Sequence, residues 1–122
     1  MKNVVVLCVL VSTWLSGCVF EERSRGDFER HNLSLLEVSR RDSSMLIFEA
    51  KAGAAYPENS ATAEAKRMEW LRSWLDRQGF CPGGYEIISR RKIEFGEVNF
   101  HDMDLRYELQ CVDAPIEEPA EK

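Results

Sequence analysis

Positive charge is in the minority in this chain. Its 122 residues carry 16 Lys and Arg against 21 Asp and Glu, a formal net charge of −5. That balance leaves no broad basic face to meet phosphates, so nucleic-acid binding is not expected. Two histidines and four cysteines are too few for most zinc clusters. No CxxC pair, no G-x-S-x-G nucleophile turn and no glycine-rich loop followed by Lys-Ser/Thr is present. Long apolar runs are missing as well. The longest, Val4 to Val11, falls well short of the roughly 20 residues that span a bilayer. The length allows one compact domain and excludes a large multi-layer enzyme.

What is present at the N-terminus has a clear layout. Lys2 supplies a short positive start, the Val4–Val11 run follows, and no acidic residue appears before Glu21. This is the pattern of an export signal. Its end reads Leu15-Ser16-Gly17-Cys18: an aliphatic residue, two small residues, then cysteine. That segment resembles the lipobox of bacterial lipoproteins, a resemblance confined to residues 1–18. It implies cleavage before Cys18, recognition of Leu15, Ser16 and Gly17 by the signal peptidase, and acylation (palmitate among the acyl groups) at Cys18. The membrane would then be a partner through the N-terminal lipid, since buried acyl chains contribute about 0.8 kcal/mol per CH₂. Val19 rather than aspartate follows the cysteine. In a Gram-negative host this implies the outer membrane, periplasmic side; a Gram-positive host would place the protein on the outer leaflet of the cell membrane.

The expected organisation is a cleaved signal over 1–17, a lipidated tether over 18–32, a compact domain over 33–112 and an acidic disordered tail over 113–122. Residues 19–32 show no clean period and read as a linker with a reach of at most roughly 50 Å. Leu33 to Arg40 and Ser44 to Lys51 read as two strands of a hairpin. Residues 61–78 suit a helix, capped by Asn59 or Ser60 and stopped by Gly79. Its apolar side is read as Ala61, Ala65, Met68, Leu71 and Leu75, with Trp74 on the flank. Tyr85 to Phe95 and Met103 to Cys111 read as two more strands, the last with strict alternation. The order ββαββ predicts an α+β fold: one helix on a four-stranded antiparallel sheet, in two layers.

Cys8 lies in the signal and Cys18 is taken by the lipid, which leaves Cys81 and Cys111 as a pair in an oxidising compartment. Their midpoint is Gly96. Strands pairing about that residue would set Cys81 opposite Cys111, so a disulfide is expected, and it would tie the hairpin to the end of the helix. A redox role has no CxxC motif to support it.

No catalytic constellation stands out, and no cofactor or metal is expected. His31 is isolated, and His101-Asp102-Met103-Asp104 reads as a polar loop between strands. A possible partner surface comprises Trp70, Arg90, Arg91 and Lys92, set against the plainer reading of a core tryptophan and a solvated strand face. The leading functional expectation is a membrane-anchored envelope lipoprotein, not an enzyme, whose domain binds another envelope protein or serves a structural role. The alternative is a periplasmic inhibitor of an envelope-targeting hydrolase, with Gly53–Asn59 or Gly96–Asp102 as its inserted loop. An exposed Trp70 would favour partner binding, and a rigid projecting loop would favour the inhibitor.

Overall fold

A computed structural model describes residues 25–113. The proposed signal, the Leu15-Ser16-Gly17-Cys18 segment and the tail beyond Asp113 lie outside the described residues. The chain divides into two units, Met1–Asn32 and Leu33–Lys122. In the first, part of the expected linker is helical: α1 covers residues 25–33. Asp27 and Arg30 form an ion pair at 3.0 Å three residues apart, the spacing that brings side chains onto one helix face. The sequence hid this helix because its apolar residues do not form a stripe.

The second unit has the expected α+β architecture. Its elements run β1 (Ser34–Val38), β2 (Met45–Ala50), α2 (Ala61–Gln78), β3 (Tyr85–Lys92) and β4 (Leu105–Cys111). The four strands form one antiparallel sheet in the order β1-β2-β4-β3. The β1–β2 turn is closed by Asp42, whose carboxylate accepts from the Ser44 amide at 2.9 Å and the Ser44 hydroxyl at 2.7 Å.

Alternation decides which face of the sheet is dry. Leu36, Leu46, Phe48, Ala50, Leu105, Tyr107 and Leu109 are buried on one face and meet Trp70, Leu71 and Leu75 of α2. Helix α2 starts where the Ser60 hydroxyl accepts from the Ala63 amide at 3.2 Å, which settles the cap on Ser60. It stops at Gly79, whose φ of 71° is left-handed backbone that suits glycine. Trp74 Nε1 donates to Ser34 Oγ at 2.9 Å, fastening the helix to β1.

The buried stripe of α2 is rotated from the expected one. It runs through Ala63, Arg67, Trp70, Leu71 and Leu75, while Ala61 and Ala65 are exposed. A hydrophobicity reading leaves every arginine out of an apolar stripe, so Arg67, the central residue of this one, has no place in the expected stripe.

Strand β3 holds a bulge. Ile87 pairs with Leu109, and the next pair is Ser89 with Glu108, leaving Ile88 as an extra residue. One extra residue inverts the alternation. Tyr85 and Ile87 take the core face before it; Arg90 and Lys92 take that face after it, opposite Tyr107 and Leu105. Without the bulge, Arg90 would point away from the helix.

The disulfide joins Cys81 and Cys111, with Cα atoms 4.8 Å apart. The strands do not pair about Gly96 as expected, however. In the ladder Cys111 faces Tyr85, not Cys81. A tight turn over 81–84, closed by the Gly84 amide on the Cys81 carbonyl at 3.0 Å, brings Cys81 back beside the strand end.

Candidate functional site

Two loops leave the same end of the sheet, and each is organised by arginine. The first, residues 51–60, joins β2 to α2. Arg67 lies under it, fully buried. Its guanidinium donates to the carbonyl oxygens of Tyr56 at 2.9 Å, Pro57 at 3.2 Å, Glu58 at 3.3 Å and Lys51 at 3.4 Å. Its Nε donates to Glu64 at 3.0 Å. The planar five-donor fork of arginine suits a converging set of carbonyls, which a lysine ammonium could not cover. Tyr56 turns inward and meets Trp70 edge-on, ring centroids 5.0 Å apart.

Glu64 extends this network to the sheet. The Tyr107 hydroxyl lies 2.9 Å from both of its carboxylate oxygens. Arg90 approaches through Nη2 at 3.2 Å and Nε at 3.3 Å. Arg90 also donates to the Glu58 carbonyl at 2.9 Å and lies over the Tyr107 ring. Burial pushes Glu64 up, but the bonds from Arg90, Arg67 and Tyr107 outweigh it and hold the carboxyl below its ordinary value. A carboxylate saturated by donors in this way stays ionised and has no lone pair poised for proton transfer. Burial raises Tyr107 above its ordinary value, so it remains a neutral donor.

The second loop, residues 93–104, joins β3 to β4. Its neck is closed by the Ile93 amide on the Asp104 carbonyl at 2.9 Å. Arg91 grips Glu97 through two bonds of 2.7 Å each, and Glu97 also accepts from the Glu94 amide at 2.6 Å. These bonds, the Arg91 guanidinium foremost, lower the Glu97 carboxyl to about 2. Arg106 donates to the Val98 carbonyl at 2.9 Å while pairing with Glu49 at 3.0 Å. Asn99 clasps Met103, accepting from its amide at 2.9 Å and donating to its carbonyl at 2.8 Å. Gly96 provides the left-handed turn at φ 92°. The loop is also tied to the first one: Lys51 Nζ donates to the Asp102 carbonyl, and the Ala52 amide donates to Asp104 at 2.7 Å.

With its backbone fastened, this loop buries Met103 but turns three other apolar side chains outward. Relative exposure is 109% for Phe95, 82% for Phe100 and 67% for Val98. Scattered exposed apolar residues are ordinary on a protein surface; several on one ordered loop are the less common arrangement.

The residues singled out from sequence divide sharply. Trp70 is not on a partner surface: it is 3% exposed and belongs to the core. The Arg67–Leu71 stripe that faces the sheet carries Trp70 in with it, and its indole N–H has no hydrogen-bond partner among the described residues. Arg90, Arg91 and Lys92 do not form one patch. Arg90 binds Glu64, Arg91 binds Glu97, and Lys92 pairs with Glu58 at 2.8 Å. His101 is exposed, and among the described residues no group of three His, Cys, Asp or Glu side chains could hold a metal. A groove of about 350 Å³ beside the start of α2 is lined by Tyr56, Ser60, Ala63, Lys66 and Glu69. Lys66 and Glu69 neutralise each other there at 3.1 Å.

Sequence reading missed Arg67, Glu64 and Tyr107, which carry the inner network, and Phe95, Val98 and Phe100, which form the loop tip. The tip had a signal. Phe95, Val98 and Phe100 lie between two strands among Gly, Asn and acidic residues, where no alternation predicts burial. No family model, no curated protein and no solved structure matches this chain.

Proposed function

We propose that this protein is a small lipid-anchored envelope lipoprotein. Its domain is a non-catalytic binding module that faces the periplasm and engages a partner through the 93–104 loop. The observation that carries the reading is the pairing of an ordered backbone with outward Phe95, Val98 and Phe100. Ordering the loop in advance lowers the entropy cost of docking it. The Glu64 cluster adds support, because its polar atoms are spent on structural bonds rather than left free for a substrate.

The Leu15-Ser16-Gly17-Cys18 segment supports the anchor. With α1 helical, the reach from Cys18 to Leu33 falls to about 35 Å at most, counting helical and extended residues at their usual rises. Strand β1 begins beside the end of β2, at the end of the sheet that carries both loops. The loop tip would therefore work within a few nanometres of the membrane surface.

Cys18→Ser tests the anchor. The variant should lose palmitate labelling and either leave the membrane fraction or accumulate uncleaved. Correct cleavage with unchanged membrane attachment would sink the proposal. A second reading, inhibition of an envelope-targeting hydrolase, is favoured by the rigidity of the same loop. It predicts that the purified protein slows peptidoglycan hydrolysis and that Phe95→Ser or Phe100→Ser removes the effect.

A further inference from the structure

The 93–104 loop is acidic as well as apolar. It contains Glu94, Glu97, Asp102 and Asp104 and neither Lys nor Arg. Two of these carboxylates are spoken for: Glu97 by Arg91, and Asp104 by the Ala52 amide. The other two flank the apolar tip. Glu94 precedes Phe95, is exposed and makes no salt bridge among the described residues. Asp102 follows Phe100 by two residues, and its side chain is fully exposed beside Lys51 at 3.4 Å.

Resting on the binding-module reading, we propose that this loop docks into the apolar cleft of a protein whose rim carries Lys or Arg. Phe95 and Phe100 would enter the cleft, and Glu94 and Asp102 would meet the cationic rim. Charge decides between this occupant and a bilayer. Inserting the two phenylalanines into a membrane would drag Glu94 and Asp102 to head-group depth, where anionic lipid repels them and Lys51 offsets Asp102 alone. The net charge of −5 adds to that repulsion. Against a basic cleft the same carboxylates attract, steering encounter and fixing orientation. Aromatic anchors in a desolvated centre with charged groups at the rim is also the usual anatomy of a tight protein interface.

The test places a photoreactive benzoyl-phenylalanine at position 95, 100 or 88 of the full-length protein in its native envelope. Each adduct is then digested and mapped. The proposal expects protein adducts at 95 and 100 that map to an apolar cleft with Lys or Arg at its edge. It also expects adduct yield to fall at least about tenfold in a Glu94→Lys, Asp102→Asn background. Thermal melting of that variant should shift by a few degrees at most, since both side chains are exposed and Asn suits the left-handed backbone at position 102 as Asp does. Adducts at 95 and 100 to lipid acyl chains would overturn the proposal in favour of a bilayer, and a mapped site without cations would overturn it as well. Protein adducts at 88 alone would reject this loop while leaving a binding module standing. No adduct at any position would reject both.

Discussion

The loops 51–60 and 93–104 leave the same end of one sheet, are cross-tied by Lys51 and Ala52, and are both held by arginine. They differ in where the arginine sits and where the aromatic points. Under the first loop, Arg67 is buried and draws the backbone down, and Tyr56 packs onto Trp70. Beside the second, Arg91 and Arg106 grip the loop from the outer face of the sheet, and Phe95 and Phe100 remain in water. A buried arginine commits a loop to the fold. A peripheral brace orders a loop without consuming its side chains, and that is the combination a recognition surface needs.

Breaking the inner brace should have the largest effect. Arg67→Met leaves a ring of loop carbonyls without their donor and removes one of the three side chains that bond the Glu64 carboxylate, a loss on the order of 3–5 kcal/mol by analogy with other broken buried charge networks. A domain of this size would lose more than about 12 °C in Tm, or fail to fold. A loss of only a few degrees in thermal melting would mean that the 51–60 loop does not depend on this guanidinium. Next comes Cys81→Ser. Opening a 30-residue loop costs up to about 3.5 kcal/mol on the chain-entropy view. Calorimetry should show a lowered Tm while both loops keep their conformations at low temperature.

Breaking the outer brace should separate order from stability. Glu97→Gln removes an exposed ion pair, and such pairs contribute little to global stability. Its Tm should therefore change by a few degrees at most. Amide exchange over 93–104 should nonetheless accelerate, and partner binding should weaken. The smallest effect on stability belongs to Phe100→Ser, since the ring is exposed: the melting curve should be unchanged and the binding lost.

Acid titration sharpens the same contrast. Glu97 is lowered in the folded state from 4.5 to about 2. A lowered carboxyl contributes stability that is present above its unfolded value and is lost as pH falls through the folded one. The brace on the outer loop should accordingly persist at pH 3 and fail near pH 2, which amide exchange of the 93–104 loop can follow. Glu64 is lowered too, so the inner network should likewise survive the ordinary carboxylate range and be lost below it.

Most of the scaffold was readable from residue order. Alternation along β4 and Met45 to Phe48 of β2, the Ser60 and Gly79 caps and the cysteine pair all act locally, so one stretch of sequence reports them. What escaped depends on partners distant in the chain. Arg67 reads as a surface residue until carbonyls from four loop residues converge on it. Its burial in turn explains why the helix is rotated and why Trp70 faces inward. The fate of Arg90 hangs on a single inserted residue, Ile88, whose effect is visible only in the register with β4. The Gly96–Asp102 loop was a candidate from the start, but which of its side chains face outward is set by Arg91, Arg106 and Asn99. That is a tertiary fact.

Hydroxyl-radical footprinting, on the purified full-length protein and then in its native envelope, tests the difference between the loops most directly. In the free protein Phe95 and Phe100 should be oxidised rapidly and Tyr56 and Trp70 slowly. In the envelope Phe95 and Phe100 alone should become protected. Equal oxidation of the two aromatic pairs in the free protein, or unchanged oxidation of Phe95 and Phe100 in the envelope, would contradict a recognition role for the 93–104 loop.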